Sequence, residues 1–425
     1  MKNIKQRLVS LCCLFILFSI CNFFYFQNSG NYGVLPGENT KFEDAAIEPD
    51  ELFNQTWSLI KSSYFDDDMN EQNWARWKKR YSHKIKTEED AYIAINTMLA
   101  SLNDPYSKFL NKNEFEEQNT TIDSKIYGIG INIVSISGKI YIMSVIKGAP
   151  ADIQGVKSGD MILKINGNDI KGGSIFQAAN YIKTGPNGSE NKDNLVELEI
   201  LRNGEKIIKK IKRAEIKIKT VEAETLDKEI GYIRITSFIS SNTPIEFIEA
   251  LNKIKDTKAL ILDLRGNTGG LFQNAVFVAN MFLQKGDIVR VIGRDGKGSS
   301  YSAENKDYVY DKPLAVLVDG ESASASEIVS AALKDNNRAV IIGTKTFGKG
   351  VVQKIYPMPN STGLNLTIAR YLTPSGNDIN KKGITPNYFV EITRDDFEKN
   401  NDSQLNFAKN IIKGELERSK LAEKS

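Results

Sequence analysis

A short apolar run that ends in a glycine-rich turn occupies residues 259–270, which read Ala259-Leu260-Ile261-Leu262-Asp263-Leu264-Arg265-Gly266-Asn267-Thr268-Gly269-Gly270. A run of this length and composition is typical of a strand that is buried on both faces of a sheet. Apolar residues at helical spacing follow over residues 272–283. Strand, tight turn and helix in this order predict an α/β domain.

The same alternation of buried strand and helix continues on both sides of this stretch. Further apolar runs lie at residues 230–235, 314–318 and 339–342, and helical patterns lie at 244–254 and 326–333. Residues 116–213 differ, because short alternating segments between Gly- and Asn-containing turns predict a separate β-rich unit. Helical patterns precede that unit at 52–64 and 88–102, and a charged helical segment ends the chain at 395–425.

Charge and the counts of His and Cys narrow the function classes. The 425 residues include 56 basic and 53 acidic side chains, a net charge of +3, which argues against nucleic acid as the main partner. His83 is the only histidine, and all three cysteines lie in the N-terminal apolar segment. Metal sites, thiol nucleophiles and Ser-His-Asp triads draw on these residues. We therefore expect no metal or other cofactor, and an acid-base group that is Lys, Asp, Glu or Tyr.

Residues 1–29 predict a membrane anchor or signal segment. Basic residues precede residues 8–26, an uncharged run of 19 residues that would be about 28 Å long as a helix. The basic flank keeps the N-terminus in the cytoplasm and places the rest of the chain across the membrane. The run ends without the small residues of a cleavage site, which favours an anchor over a secreted product. Lipidation of Cys21 is a weaker alternative, because Ile20 before it is bulky.

Two blocks stand out in the β-rich unit. The first reads Tyr127-Gly128-Ile129-Gly130-Ile131, and the second spans residues 155–167. The glycines of the first block let consecutive amides converge on one point, where they can bind the carboxylate at the end of a peptide. An edge strand after the turn could take up the peptide as a further strand. Together the blocks resemble a PDZ domain, which makes Ile129, Gly130 and Ile131 the candidate peptide-binding residues.

Residues 320–327 read Gly-Glu-Ser-Ala-Ser-Ala-Ser-Glu and connect a predicted buried strand to a predicted helix. A serine at the start of a helix lies where the amides and the helix dipole can stabilise an oxyanion. Ser324 and Glu327 also have the spacing of a capping box, which by this motif alone is the stronger interpretation. The turn at residues 263–270 likewise has two interpretations: a tight connection, or an amide donor that lies close to substrate.

Residues 343–350 read Gly-Thr-Lys-Thr-Phe-Gly-Lys-Gly, which is close to the spacing of a phosphate-binding loop. Gly350 replaces the Ser or Thr that would hold Mg²⁺. Residues 351–357 have the pattern of a strand, whereas a phosphate-binding loop requires a helix there. We therefore reject nucleotide binding and keep Lys349 as a candidate buried amine.

Taken in order, these blocks resemble the carboxyl-terminal processing proteases, or tail-specific proteases, which are serine peptidases with an embedded PDZ domain. The resemblance covers roughly residues 45–392 and includes segments 230–235 and 366–376. It implies an α/β fold in which a β-rich α+β PDZ domain is inserted before a crotonase-like or ClpP-like serine protease core, with helical N- and C-terminal extensions. The expected ranges are 1–29 for the anchor or signal segment, 30–44 for a tether, 45–115 for the N-terminal helical region, 116–213 for the PDZ domain, 214–393 for the protease core and 394–425 for the C-terminal helical tail.

The resemblance also implies roles for individual residues. It assigns the nucleophile to Ser324, the general base to Lys349 and the amide side chain that holds the lysine to Gln353. A lysine can activate a serine when burial lowers its pKa from about 10.4 toward the working pH. The other implied site residues are the oxyanion-hole amides of Gly270 and Ala325 and the supporting carboxylate of Glu327.

The favoured hypothesis is a membrane-anchored, extracytoplasmic serine endopeptidase that captures the flexible C-terminal tails of exported proteins and cleaves them through an acyl-enzyme. The helical ends are candidate contacts for a homo-oligomer. One alternative is a non-catalytic PDZ scaffold, in which Ser324 and Glu327 only cap a helix. Another is an acyl-binding enzyme related in fold to crotonases. The segments around Lys349 and Gln353 favour the protease, since a scaffold would not need them.

Overall fold

The computed structural model describes residues 46–123, 125–136, 138–170, 175–183, 194–217, 219–304, 310–399 and 401–422. None of the helices in these ranges has both the length and the apolar character needed to cross a bilayer. The anchor predicted at residues 1–29 and the tether predicted at 30–44 lie outside the described residues.

The described part of the chain begins with three helices. They pack against a strand from the C-terminal part of the chain. They are α1 (Pro49–Ser63), α2 (Ala75–Tyr81) and α3 (Glu88–Ala100), and they are followed by strand β1 (Lys108–Leu110) and helix α4 (Lys112–Ile122). Buried residues of α1 and α3 form one apolar cluster with Trp74, Trp77, Leu364 and Leu366. The N-terminal region is therefore built onto the C-terminal half of the chain.

The β-rich unit contains a six-stranded antiparallel sheet with two short helices. Its elements are β2 (Lys125–Gly128), β3 (Ile131–Ile136), β4 (Lys139–Val145), α5 (Pro150–Ile153), β5 (Met161–Ile165), β6 (Asn168–Asp169), α6 (Ile175–Lys183), β7 (Leu195–Arg202), β8 (Glu205–Lys212) and β9 (Ala214–Lys217). Strands β2 and β9 pair with each other, and β3 lies at the edge of the sheet beside β4. Gly130, with φ of 80°, separates β2 from β3.

A six-stranded central sheet confirms the predicted α/β domain. Its strands, in spatial order, are β10 (Val221–Leu226), β11 (Ile230–Ile235), β12 (Ala259–Asp263), β15 (Leu314–Val318), β16 (Val340–Gly343) and β19 (Tyr388–Phe389). Neighbouring strands are parallel except that β10 is antiparallel to β11. The largest apolar core, which includes Phe247, Leu262 and Phe282, packs this sheet against helices α7 (Thr243–Lys253), α8 (Phe272–Asn280) and α9 (Ala325–Asp335).

A second, five-stranded sheet joins the N-terminal region to the central domain. Besides β1, it contains β13 (Lys285–Gly293), β14 (Gly298–Glu304), β17 (Val351–Met358) and β18 (Thr362–Leu372). Strand β18 pairs antiparallel with β1, β13 and β17. The turn before β1 and the loop before β17 are therefore carried by strands that both pair with β18. Of these strands, the sequence had predicted β17 alone.

Two helices, α10 (Arg394–Glu398) and α11 (Ser403–Ala422), end the described chain. Ile412 of α11 packs with Ile261 on the face of the central sheet opposite the largest core. At the start of α11, Asp402 Oδ1 accepts a hydrogen bond from Arg265 Nη1 at 2.9 Å, and Arg265 Nη2 donates to Asp263 Oδ2 at 2.6 Å. The helix therefore supports the glycine turn from behind.

The N-terminal region offers a matched pair for measuring what its core contributes. Ile95 is fully buried, whereas Ile93 on the same helix is 58% exposed. We expect Ile95→Ala to lower the free energy of unfolding by about 2–5 kcal/mol because it leaves a cavity, and Ile93→Ala to change it by less than about 0.5 kcal/mol. Urea unfolding followed by tryptophan fluorescence reports on this region, since all three tryptophans lie between residues 57 and 77. Equal losses in the two variants would contradict the packing.

Candidate active site

Ser324 lies at the junction between strand β15 and helix α9. Its backbone has φ of 53° and ψ of −111°, a conformation that residues other than glycine rarely adopt. Such a conformation costs on the order of 1–3 kcal/mol and persists where the surrounding structure enforces it. The N–H of Ser324 donates to Glu327 Oε2 at 2.9 Å, so the carboxylate half of the predicted capping box is present. The strained junction is thus held by a buried side chain one turn into the helix.

Three serines lie at alternate positions from 322 to 326, and their surroundings distinguish them. Ser322 is fully buried, and its hydroxyl donates to Leu264 O at 2.8 Å. Ser326 is also fully buried, and its hydroxyl donates to Asn267 O at 2.8 Å. Ser324 is half-buried. Of the three hydroxyls, that of Ser324 is therefore the one that a substrate can reach.

The glycine turn after β12 packs directly against Ser324. A Cβ on Gly269 would lie 2.9 Å from Ser324 Cβ and 3.1 Å from Ala325 N, closer than side chains normally pack. A Cβ on Gly270 would lie 2.2 Å from the backbone N of Ile239. Gly269 and Gly270 also have φ values of 100° and 148°. Only glycine fits either position, and this allows the backbone of the turn to approach the serine.

Asn267 links this turn to the serine loop. The side chain is fully buried, its Nδ2 donates to Ile235 O at 2.7 Å, and its Oδ1 accepts from Gly269 N at 2.9 Å. The carbonyl of Asn267 accepts from Ala323 N at 3.0 Å as well as from the Ser326 hydroxyl. A buried amide with these partners fixes the two loops in one register. No pattern in the sequence had predicted this role of Asn267.

Glu327 is fully buried, and its carboxylate joins the serine to the loop that carries Lys349. Its oxygens accept hydrogen bonds from Ser324 N at 2.9 Å, Thr346 Oγ1 at 2.6 Å, Gly348 N at 2.7 Å and Lys349 N at 2.9 Å. These protein donors satisfy the carboxylate without a metal. Among the described residues, no group of three or more His, Cys, Asp and Glu side chains could hold a metal ion.

Lys349 carries the amine that the sequence had singled out. Its Nζ donates to Gln353 Oε1 at 2.7 Å. Burial lowers the pKa of Lys349, although the nearby charges of Asp104 and Glu327 act in the opposite direction. At a given pH, the neutral amine form is therefore more populated in Lys349 than in a lysine exposed to water.

Two tyrosines that the sequence analysis did not single out also contact this site. The hydroxyl of Tyr371 lies 2.6 Å from Lys349 O and 3.2 Å from Ser324 O, and it can donate to either carbonyl. Burial, followed by the charge of Glu327, raises the pKa of Tyr371 well above its ordinary value, so this hydroxyl remains a donor. The ring of Tyr106 lies under the amine, with Lys349 Nζ 4.7 Å from its centroid.

The candidate peptide-binding residues of the β-rich unit lie at the start of an edge strand. Ile129 is buried, and its carbonyl accepts from Ala151 N at 2.8 Å. A Cβ on Gly130 would lie 2.3 Å from Ala149 Cβ, so the turn requires glycine there. Ile131 begins β3, whose pairing among the described residues is with β4 on one side. The opposite edge of β3 is the one that the predicted strand addition would use.

Comparison with known proteins agrees with both the α/β domain and the β-rich unit. The sequence model of peptidase family S41 matches residues 229–390, that of the PDZ domain matches 128–212, and that of the tricorn protease C1 domain matches 46–92. The carboxyl-terminal-processing protease of Synechocystis sp. PCC 6803 is 36% identical over 364 residues, which cover 83% of each chain. The carboxy-terminal processing protease CtpA of Bacillus subtilis strain 168 is 35% identical over 370 residues, or 86% of this chain and 73% of the relative.

A solved structure extends the likeness to three dimensions. The photosystem II D1 C-terminal processing protease has a TM-score of 0.55 and 30% identity to this chain, of which the match covers 81%, with 94% of that protein covered. The fold and the matches together define a serine-type peptidase with a PDZ domain. The chain belongs to peptidase family S41, among the carboxyl-terminal processing proteases. This membership favours the peptidase over the scaffold and the acyl-binding alternatives.

The four hydrogen bonds of Glu327 allow a sharp test. Glu327→Gln keeps one acceptor oxygen but turns an NH₂ group toward two of the four donors, so we expect a stability loss of about 2–4 kcal/mol. Because the lysine loop loses its fixed position, kcat/KM for peptide cleavage should fall by about 100-fold or more. Thermal unfolding and steady-state kinetics measure the two effects. Glu321→Gln, at an exposed position of the loop that precedes α9, is the control. Lost stability with unchanged kcat/KM would contradict the proposed link to the site.

Proposed function

We propose that this chain is a membrane-anchored, extracytoplasmic endopeptidase that cleaves exported proteins near their C-terminal tails, with Ser324 as nucleophile and Lys349 as general base. The environment of the Lys349 amine is the observation that carries the proposal. Burial lowers its pKa, and Gln353 accepts its hydrogen bond. Its backbone is tied through Glu327 to that of Ser324. A lysine needs such surroundings to act as a base, since only the neutral amine accepts a proton.

The reaction follows from these groups. Ser324 Oγ attacks the scissile carbonyl carbon while its proton passes to the Lys349 amine, and the carbonyl electrons move onto oxygen. The lysine ammonium then protonates the leaving nitrogen as the C–N bond breaks, which leaves an ester on Ser324. Water attacks this acyl-enzyme, again with Lys349 as base. The free acid leaves and the serine hydroxyl is regenerated.

Backbone amides of Gly270 and Ala325 are suited to stabilise the oxyanion. Gly270 forms a parallel bridge with Phe238, in which Phe238 N donates to Gly269 O and Leu271 N donates to Phe238 O. In this pattern the N–H of the bridged residue points away from its partner strand. Ala325 begins helix α9, where first-turn amides have no acceptor inside the helix. On these grounds we assign both donors to the oxyanion, whose developing charge they would offset.

We assign substrate selection to Ile129, Gly130 and Ile131 and to the edge of β3 that faces away from β4. A tail that adds to this edge would place its terminal carboxylate at the glycine turn, where backbone amides can bind it. A bound tail could act in two ways. It could tether the substrate, or it could also shift the population toward an assembled catalytic site. The two effects differ in the kinetic constant that they change.

Cleavage by the full chain tests the catalytic assignment and the anchor together. Membranes that carry the full chain are washed with carbonate and incubated with an unfolded protein that ends in an apolar tail. We expect fragments from the wild type, and a loss of about 1,000-fold or more in Ser324→Ala and Lys349→Ala, because each lacks one partner of the proton transfer. Lys345→Ala, at an exposed lysine of the same loop, should retain cleavage. Fragments from Ser324→Ala would refute the nucleophile, whereas activity released in the wash would refute only the anchor.

Recognition of the tail is tested without changing the protein. Two peptides of identical sequence are compared, one with a free C-terminal carboxylate and one with a C-terminal amide. Because the amide cannot satisfy a carboxylate site, we expect kcat/KM to fall by about tenfold to 100-fold. A change in KM alone indicates tethering, and a lower kcat indicates that the tail also activates the site. Equal kinetics for the two peptides would rule out recognition of the carboxylate.

A further inference from the structure

We infer that Tyr106 and Asp104, on the turn that joins helix α3 to strand β1, are positioning residues for the amine of Lys349. The inference rests on the proposed role of Lys349 as general base and extends it to residues that the sequence analysis did not identify. It makes the N-terminal region a contributor to the catalytic centre. The region would then do more than pack against the protease core.

Tyr106 contacts the lysine and its amide partner with two different groups. Its ring lies beneath Lys349 Nζ, which is 4.7 Å from the ring centroid. Its backbone carbonyl accepts a hydrogen bond from Gln353 Nε2, while Gln353 Oε1 accepts one from Lys349 Nζ at 2.7 Å. A carbonyl can only accept, so its bond assigns the NH₂ group of Gln353 to the Tyr106 side. The oxygen of the amide is thereby directed to the lysine.

These contacts determine where the lone pair of the amine can point. A neutral amine has two hydrogens and one lone pair. Gln353 Oε1 takes one hydrogen, and the face of the Tyr106 ring attracts the other, as aromatic faces attract N–H groups. The lone pair is then left for the proton of Ser324. Without the ring, the amine would rotate among several orientations that do not present the lone pair.

Asp104 holds the turn that carries Tyr106. Its Oδ1 accepts from Tyr106 N at 2.9 Å, and its Oδ2 accepts from the Ser107 hydroxyl at 2.6 Å. Ser107 Oγ in turn accepts from Thr367 N at 3.0 Å on strand β18. The turn is therefore fixed at both ends, by a local carboxylate and by the sheet. This fixes the height of the Tyr106 ring beneath the lysine.

Asp104 also acts on the lysine through its charge. The charges that act on the amine are those of Asp104 and Glu327, the ring of Tyr106 lies beneath it, and the Tyr371 hydroxyl contacts the backbone carbonyl of the same lysine. Burial, with the charges of Asp104 and Glu327, raises the pKa of Tyr106, so its ring stays neutral. Burial lowers the pKa of Lys349, and the charge of Asp104 acts against that lowering. Removing this charge should lower the pKa of Lys349 further. The pH at which the enzyme becomes active should then fall.

The experiment uses the full chain and measures the rate at which a small fluorophosphonate labels Ser324 as a function of pH. Such a probe reports the serine and its base without requiring the PDZ domain. In Asp104→Asn the amide oxygen still accepts from Tyr106 N, and its NH₂ group can donate to the Ser107 hydroxyl, so the turn is retained. We expect the rising limb of the profile to move to lower pH in this variant. We expect Tyr106→Leu to lower the plateau rate about tenfold and Tyr106→Phe to stay within about twofold of the wild type.

Controls separate this inference from the proposed function. Asp295→Asn removes an exposed carboxylate from the turn between β13 and β14 and should leave the profile unchanged. If Asp104 only holds the turn, the rising limb of the pH profile will lie at the same pH in Asp104→Asn as in the wild type. That result would overturn the electrostatic role. An unchanged rate in folded Tyr106→Leu, or in folded Tyr106→Met if the leucine variant unfolds, would overturn the positioning role. A tenfold loss in Tyr106→Phe, which keeps the ring, would also overturn it. Absence of labelling at Ser324 in the wild type would instead refute the Ser-Lys assignment itself.

Discussion

The buried carboxylate of Glu327 is the contact on which the arrangement of the site depends. An ionised group with no exposure is tolerated only when hydrogen bonds replace its hydration, and Glu327 has four donors from two segments of the chain. It also lies in the first turn of α9, where the helix dipole favours a negative charge. The same group therefore caps the helix and fixes the loop of Lys349. The capping interpretation of the motif is therefore compatible with the proposed functional one.

The strain at Ser324 is offset by the packing around it. A φ of 53° is costly for a residue with a side chain. It persists at Ser324 because contacts on both sides hold the backbone in this conformation. The space beside its Cβ would not admit a side chain on Gly269, Glu327 binds its N–H, and Tyr371 lies near its carbonyl. Three independent contacts thus hold the peptide unit in place. Residue type alone does not explain why Ser324 is only half-buried, since Ser322 and Ser326 on either side are buried. Its backbone conformation does.

Local patterns in the sequence predicted the parts of the fold that have local causes. The buried strands at residues 230–235 and 314–318 match the structure, because apolar runs bounded by turns carry their own signal. Strand β8 (Glu205–Lys212) was missed, since it is mostly exposed and rich in charge. Tyr106 was missed for a different reason. The segment around it predicts a turn, but its contact with Lys349 joins residues 243 positions apart, and only the pairing of β1 and β17 with β18 brings them together.

A lysine can act as a base only if no neighbouring carboxylate forms an ion pair with it, because such a pair stabilises the charged ammonium. Glu327 meets this requirement because its oxygens are already occupied by backbone and hydroxyl donors, and the amine is bonded to the uncharged Gln353 instead. An ion pair between Lys349 Nζ and Glu327 would hold the amine in its charged form and remove the base. Burial can then lower the pKa of Lys349 despite two nearby negative charges. The hydrogen bonds of Glu327 and Gln353 therefore leave the amine of Lys349 without an ion pair to either oxygen of Glu327, as its proposed role as a base requires.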